Sequence, residues 1–311
     1  MSIPKATIAE QIARQLAPFL DFEIAQVQSE DQAEGSAGSL CKVTVFDQGQ
    51  NERSFMLKRK HDDTDYRLYQ QYLEPYHLNS PKEYGYLELN GQRFLVMDYI
   101  KHLPINWDDG NGYLKAVQWL IKKDLITGQN LASLRTLDGL GKMEFYGIQE
   151  WLPEFEQWHK DSTGNHQAKA VWRTVYLSQN RINEYIDELN QAGVQTIVHG
   201  DLHMSNILFG EGEANHELFV IDWTQPHIGS VTKDLASLYD NAPLNLKSEL
   251  VEIYRQQVDF PHFDELFAKA KVLRDVGYLA WMVWMINEGQ KAEIGQNELD
   301  RVANSLISSL A

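Results

Sequence analysis

The chain has 311 residues, 43% hydrophobic and 23% charged, a globular composition long enough for two domains or one domain with two lobes. Its 28 Lys and Arg against 44 Asp and Glu give a formal charge of −16, which argues against nucleic acid or an anionic membrane as the main partner. Cys41 is the only cysteine, so no intrachain disulfide can form and a reducing cytoplasm fits. In chain order, "TIAEQIARQLAPFL" sets Ile8, Ile12, Leu16, Phe19 and Leu20 at helical spacing. The N-terminus shows no basic region followed by an apolar stretch, so no signal peptide is expected. From about Phe22 to Lys60 the pieces "FEIAQVQ", "LCKVTVFD" and "SFMLKRK" read as strands parted by turn residues. "TDYRLYQQYL" reads as a helix, and "QRFLVMDYI" as a strand after an Asn90-Gly91 turn. The first hundred residues therefore predict a small antiparallel sheet with an inserted helix.

Beyond Ile100 the pattern is mainly helical. "LKAVQWLIKKDLITGQNLASLRTL" aligns Leu120, Asp124, Thr127, Leu131 and Leu134 on one face, with a polar break at its middle. Glu156 to Gln167 reads as a loop, and "RINEYIDEL" as a helix. "TIV" at Thr196 to Val198 precedes a hairpin of "ILF", the turn-rich "GEGEANHE" and "LFVIDW". Helices finish the chain from about Leu244. The apolar run Val276 to Ile286 is shorter than the roughly 20 residues that span a bilayer, and reads as a buried core helix.

The segment "TIVHGDLHMSNILF", Thr196 to Phe209, crowds His199, Asp201, His203 and Asn206 together. Phosphoryl transfer from ATP calls for such groups. A carboxylate orients the attacking hydroxyl and takes its proton, while a divalent metal takes oxygen ligands from carboxylates and amides. Asp201 and Asn206 lie five residues apart, and the hairpin folds Asp222 back beside Asn206. Taken singly, the three would read as a turn acid, a helix cap and a strand-end carboxylate. The His199/His203 spacing suits zinc on a helix, but Gly200 after a strand indicates a loop.

Together the motifs resemble the aminoglycoside phosphotransferase and choline kinase group. His199-Gly200-Asp201-Leu202-His203 with Asn206 matches its H-G-D-L-H-x-x-N motif. "VIDW", Val220 to Trp223, matches its second metal-binding motif, and "KDLASL", Lys233 to Leu238, the D-L-A that follows. "GQNLASLRTL" is similar to the helix before the catalytic loop, with Arg135 where the group has histidine. The resemblance implies a bilobal, protein-kinase-like α+β fold, with a nucleotide-binding lobe over 1–99 and a catalytic and substrate-binding lobe over 100–311. It implies Asp201 as catalytic base, Asn206 and Asp222 as Mg2+ ligands, and Asp234 as a structural acid bracing the catalytic loop.

On the nucleotide side, "EGSAGS" lies between two predicted strands, and Ser36, Ala37, Gly38 and Ser39 are small enough for backbone N–H groups to approach phosphate. No Gly-Lys-Ser/Thr follows, so this is no P-loop, and an ordinary hairpin turn explains it as well. Lys58 follows Phe55-Met56-Leu57 as the phosphate lysine does in the group, and strand alternation gives it the face of Met56. Lys60 has the same parity. The group pairs this lysine with a helix glutamate, a place where this chain offers Asp65. "VMDYIKH" is similar to the hinge that bonds adenine through its backbone, which implies Asp98, Tyr99 and Ile100. Leu208 and Ile221 are the implied walls around the base.

No A-P-E-like element follows Asp222, and the loop from Trp223 to Asp234 is short, so the expected acceptor is a small molecule bearing a hydroxyl. The run "RDVGYLAWMVWMINE" puts Asp275, Tyr278, Trp281, Trp284 and Glu288 on one helix, a set that suits a cationic amine or an amino sugar. A core helix with polar ends is the simpler account of the same run. The expected donor is ATP or GTP. The alternatives are a catalytically inactive pseudokinase and a protein kinase.

Overall fold

The structure, a computed structural model, describes residues 12–31, 40–60, 63–103, 105–108, 110–134, 148–162, 165–191, 194–210, 217–223, 226–289 and 295–310. These fall into two units. One takes the described residues within 1–105 and 205–224, the other those within 106–136, 140–204 and 225–311.

The first unit is a sheet with a helix and a hairpin. β1 (Gln26–Asp31), β2 (Leu40–Phe46) and β3 (Glu52–Arg59) are consecutive strands, of which β2 carries the β-branched run Val43-Thr44-Val45. A helix, α1 (Thr64–Leu68), continues into a π turn over Tyr69–Leu73 before β4 (Glu83–Leu89) and β5 (Gln92–Asp98). The sheet is antiparallel throughout, in the order β1-β2-β3-β5-β4. Asn90 (φ 53°) and Gly91 (φ 72°) both take left-handed backbone, which a tight hairpin of this hand requires. Alternation buries Phe55 and Leu57 against Val43, Val45, Leu87 and Val96, with Ile12 and Leu16 of a helical turn over residues 12–16. The predicted strand at Phe22 starts later, at Gln26, and the one at Gln92 ends at Asp98.

The hairpin of this unit joins β7 (Ile207–Gly210) to β8 (Glu217–Val220), with Ile207 opposite Val220. Asn79 anchors it: its carbonyl accepts the Val220 N–H (3.0 Å) and its amide donates to Glu217 (2.9 Å).

The second unit is helical around one short strand pair. α2 (Asn111–Leu134), α3 (Ile148–Asp161) and α4 (His166–Gln191) precede β6 (Gln195–Val198), which pairs antiparallel with β9 (His227–Ser230). α5 (Thr232–Asn241), α6 (Lys247–Gln257), α7 (Phe263–Asn287) and α8 (Gln296–Leu310) follow. α7 packs against α3, α4, α5 and α8, which explains its apolar run Val276–Ile286. The loop expected over Glu156–Gln167 is instead helical to Asp161 and again from His166. α3 carries Pro153 in its interior, a residue that ordinarily ends a helix and so masks this one in the sequence.

Candidate active site

Within the first unit, β3 and the hairpin bring Lys58 and Asp222 together. Nζ of Lys58 donates to Oδ1 of Asp222 at 2.5 Å, across 164 positions of sequence. Strand alternation turns Lys58 away from the Phe55/Leu57 core, and its side chain is nine-tenths buried. Asp222 follows β8 with φ 65°, a left-handed conformation that costs a non-glycine residue energy and is typical of functional positions. Asn206 stands across the hairpin, where its carbonyl accepts the Ile221 N–H (3.0 Å). Leu208 and Ile221 are half-buried on the same hairpin. Asn206 and Asp222 thus offer an amide and a carboxylate oxygen from neighbouring positions. Such a donor set suits Mg2+, which takes one or two protein oxygens and fills its shell with water and phosphate. Among the described residues no group of three or more His, Cys, Asp or Glu is gathered as a metal site.

Asp65 does not reach Lys58. Its Oδ2 pairs with Lys60 at 2.7 Å, both side chains being at least nine-tenths buried. Burial pushes the Asp65 carboxyl up, and Lys60 and Lys58 pull against that rise. Sequence reading passed over Glu83, which belongs to the same charge cluster. Its carboxyl is pushed up to about 8, first by burial and then by Asp65, against Lys60 and Lys58. One acid at a strand start carries no signal that distinguishes it from a solvated edge residue.

At the end of β5 the backbone amides of Asp98 and Tyr99 already donate to the carbonyls of Lys82 (2.8 Å) and Ser54 (3.2 Å). The Asp98 carboxylate accepts from Tyr84 (2.8 Å) and Arg53 (3.4 Å). A base docking here would therefore meet Ile100 and the backbone carbonyls. Ser36, Ala37, Gly38, Ser39 and Arg135 lie outside the described residues.

Asp201 belongs to the second unit, in the loop after β6. It is exposed, its N–H donates to Nδ1 of buried His199 (3.2 Å), and Oδ2 lies 3.4 Å from Nε2 of His203. Gly200 before it has φ 88°, which favours glycine. The loop backbone is held from α5, where Asp234 accepts the N–H groups of His199 (2.9 Å) and Gly200 (3.2 Å). Burial alone would raise the Asp234 carboxyl, but Lys123, His199 and these hydrogen bonds hold it below its ordinary value. Further along α5's approach, Lys233 contacts His227 at 3.1 Å, and burial depresses its ammonium to about 8.

On α7 the rings of Tyr278 and Trp281 stack, 5.8 Å apart and 7° from parallel, while Trp281 and Trp284 stay exposed. Asp275 is engaged internally: it accepts the Ser305 hydroxyl (2.7 Å) and lies 3.6 Å from Arg274.

A five-stranded antiparallel sheet carrying a lysine, a hairpin ending in an acid, and a mostly helical remainder with an Asp-bearing loop define a protein-kinase-like α+β fold. Residues 42–270 match the model of the phosphotransferase enzyme family, and the chain belongs to that family. Comparison with curated proteins gave no match. Among solved structures, the aminoglycoside phosphotransferase of Alicyclobacillus acidocaldarius is similar over 100% of this chain and 96% of its own, with TM-score 0.65 and 13% identity. A choline kinase of Cryptosporidium parvum is similar over 97% and 94%, with TM-score 0.60 and 14% identity. A spectinomycin phosphotransferase solved with ADP and spectinomycin is similar over 100% and 98%, with TM-score 0.54 and 11% identity. At these identities the likeness establishes the fold. Among the described residues no helix is long and apolar enough to cross a membrane.

Proposed function

We propose that this chain is a magnesium-dependent kinase of small molecules, moving the γ-phosphate of ATP or GTP to a hydroxyl, with a cationic amine or amino sugar as the acceptor class. Asp201 accepts the proton of the attacking hydroxyl as the hydroxyl oxygen bonds to the γ-phosphorus and the bond from that phosphorus to the β–γ bridging oxygen breaks, releasing ADP or GDP. Lys58 holds the donor's phosphates, and Asn206 and Asp222 hold the metal. Mg2+, when bound, neutralises phosphate charge. Ile100, with Asp98 and Tyr99 through their carbonyls, Leu208 and Ile221 receive the base, and the Ser36–Ser39 segment approaches the phosphates. In this reading 1–99 form the nucleotide lobe and 100–311 the catalytic and substrate lobe. The enzyme works in the cytoplasm, with no nucleic acid or membrane partner.

The observation that carries the reading is the convergence of Lys58 and Asp222, a cation for phosphate beside an acid for metal. The relatives solved with ADP and GDP support a nucleotide donor. The exposed Trp281 and Trp284 support a cationic acceptor, since indole faces attract ammonium groups. One observation favours an inactive nucleotide binder instead: the helix acid Asp65 engages Lys60 rather than Lys58.

Release of ADP from Mg-ATP or of GDP from Mg-GTP, measured across amino sugars, cholines, plain sugars and amino alcohols, tests the proposal. Release stimulated by one of these acceptors is expected. Nucleotide binding with no release across the panel favours the inactive binder, and transfer to generic proteins alone a protein kinase.

A further inference from the structure

Lys123 and Asp124 are adjacent in the middle of α2, within "LIKKDL", where charged residues ordinarily face water. Here both are buried; neither side chain has any exposed surface. The Lys123 ammonium donates to the carbonyl of Ile197 (2.6 Å) and to Oδ2 of Asp234 (2.8 Å), and lies 3.1 Å from Oδ1 of Asp124. Asp124 is completed by two hydroxyl donors, Thr196 to Oδ1 and Tyr254 to Oδ2, each at 2.6 Å. Asp234 in turn accepts the amides of His199 and Gly200. One cation, two carboxylates, two hydroxyls and two peptide N–H groups thus form a continuous chain from α6 through α2 and α5 to the residue before Asp201. Buried ion clusters seldom repay their desolvation, and apolar side chains of similar volume would stabilise the helices as well. A fully satisfied network does fix geometry.

We propose that Lys123, Asp124 and Tyr254 are positioning residues that set the His199–Gly200 backbone, and with it the direction of Asp201, by way of Asp234. The inference rests on Asp201 being the base. The Asp201 side chain is 58% exposed, so its aim derives mainly from its backbone, which turns at Gly200. Tyr254 acts on Lys123: without its hydroxyl, Oδ2 of Asp124 draws the ammonium away from Asp234. Asp234 then accepts the two loop amides less firmly. Loss of Lys123 goes further, leaving two carboxylates facing one another without a cation.

Tyr254→Phe keeps the ring and removes only the donor, so it is the primary variant; Lys123→Met is the severe one. The readout is amide hydrogen exchange of the full chain, with no nucleotide, resolved at His199 and Gly200. Exchange there should quicken at least about tenfold in Tyr254→Phe while the amides of α7 keep their wild-type rates. Turnover of Mg-ATP, assayed well below the melting temperature, should fall with the KM for ATP unchanged. Wild-type exchange at His199 and Gly200 in Tyr254→Phe would overturn the proposal, as would quickening spread evenly over α2, α6 and α7. The exchange readout needs no activity. Quickened exchange in a protein whose wild type transfers no phosphate would sink the kinase reading and leave the brace standing.

Discussion

Glu83, Lys58 of β3 and Lys60 just beyond it separate binding from stability residue by residue. Glu83 keeps its proton to about pH 8 in the folded chain, whereas the unfolded chain releases it near the ordinary value of 4.5. Across that window the folded state binds the extra proton, so stability falls as pH rises and levels off above about 8. Glu83→Gln should flatten this slope in thermal melts between pH 5 and 8.5 and raise stability at pH 8 by, at most, on the order of a few kcal/mol. An unchanged slope would assign the effect elsewhere. Lys60→Met leaves Asp65 buried without its cation and should cost roughly 3–5 kcal/mol in denaturant unfolding. Lys58→Met, whose partner Asp222 is partly solvated, should cost only about 1 kcal/mol but raise the KM for ATP. The opposite ranking would exchange the roles of the two lysines. Alternation along "SFMLKRK" made both lysines legible as one face of one strand. It could not tell which would meet Asp65 and which Asp222, because that choice is made by elements remote in sequence.

At the scale of elements, the brace on the loop after β6 is a helix start reaching under a strand end. Asp234, in the first turn of α5, accepts two loop amides and the buried Lys123 ammonium. Asp234→Ala should therefore destabilise the second unit by about 3–5 kcal/mol and abolish turnover, whereas Asp234→Asn should retain part of both. Equal Tm values for wild type and Asp234→Ala would contradict this. The hairpin β7–β8 was readable from "ILF", a turn-rich stretch and "LFVIDW", because period and turn chemistry agree there. β9 was not: "HIGS" is four residues long and becomes a strand only by pairing with β6. The polar break in α2 was seen but not understood. In sequence, a lysine and an aspartate inside an apolar helix look the same whether they face solvent or partners that lie 72 to 130 positions away.

For the whole molecule, the charge of −16 bears on the ligand: a triphosphate must be drawn in by local cations such as Lys58 and by metal, against the net field. Mg-ATP should raise the melting temperature, with a stabilisation of about 2.7 kcal/mol at a hundredfold excess over Kd, and EDTA should remove most of that gain. ATP stabilising equally with and without Mg2+ would count against Asn206 and Asp222 as metal ligands. The family was legible because three motifs stand in order between Val198 and Leu238; the acceptor was not, because no motif of fixed spacing marks residues for it, and the aromatic and acidic residues of "RDVGYLAWMVWMINE" read more simply as part of a core helix. The central claim is that Asp201 is the base of a phosphoryl transfer, and the most direct measurement is ADP release by Asp201→Ala alongside its affinity for Mg-ATP. The account predicts turnover reduced by at least about a hundredfold with nucleotide affinity within about threefold of wild type. Wild-type turnover in that variant would contradict it.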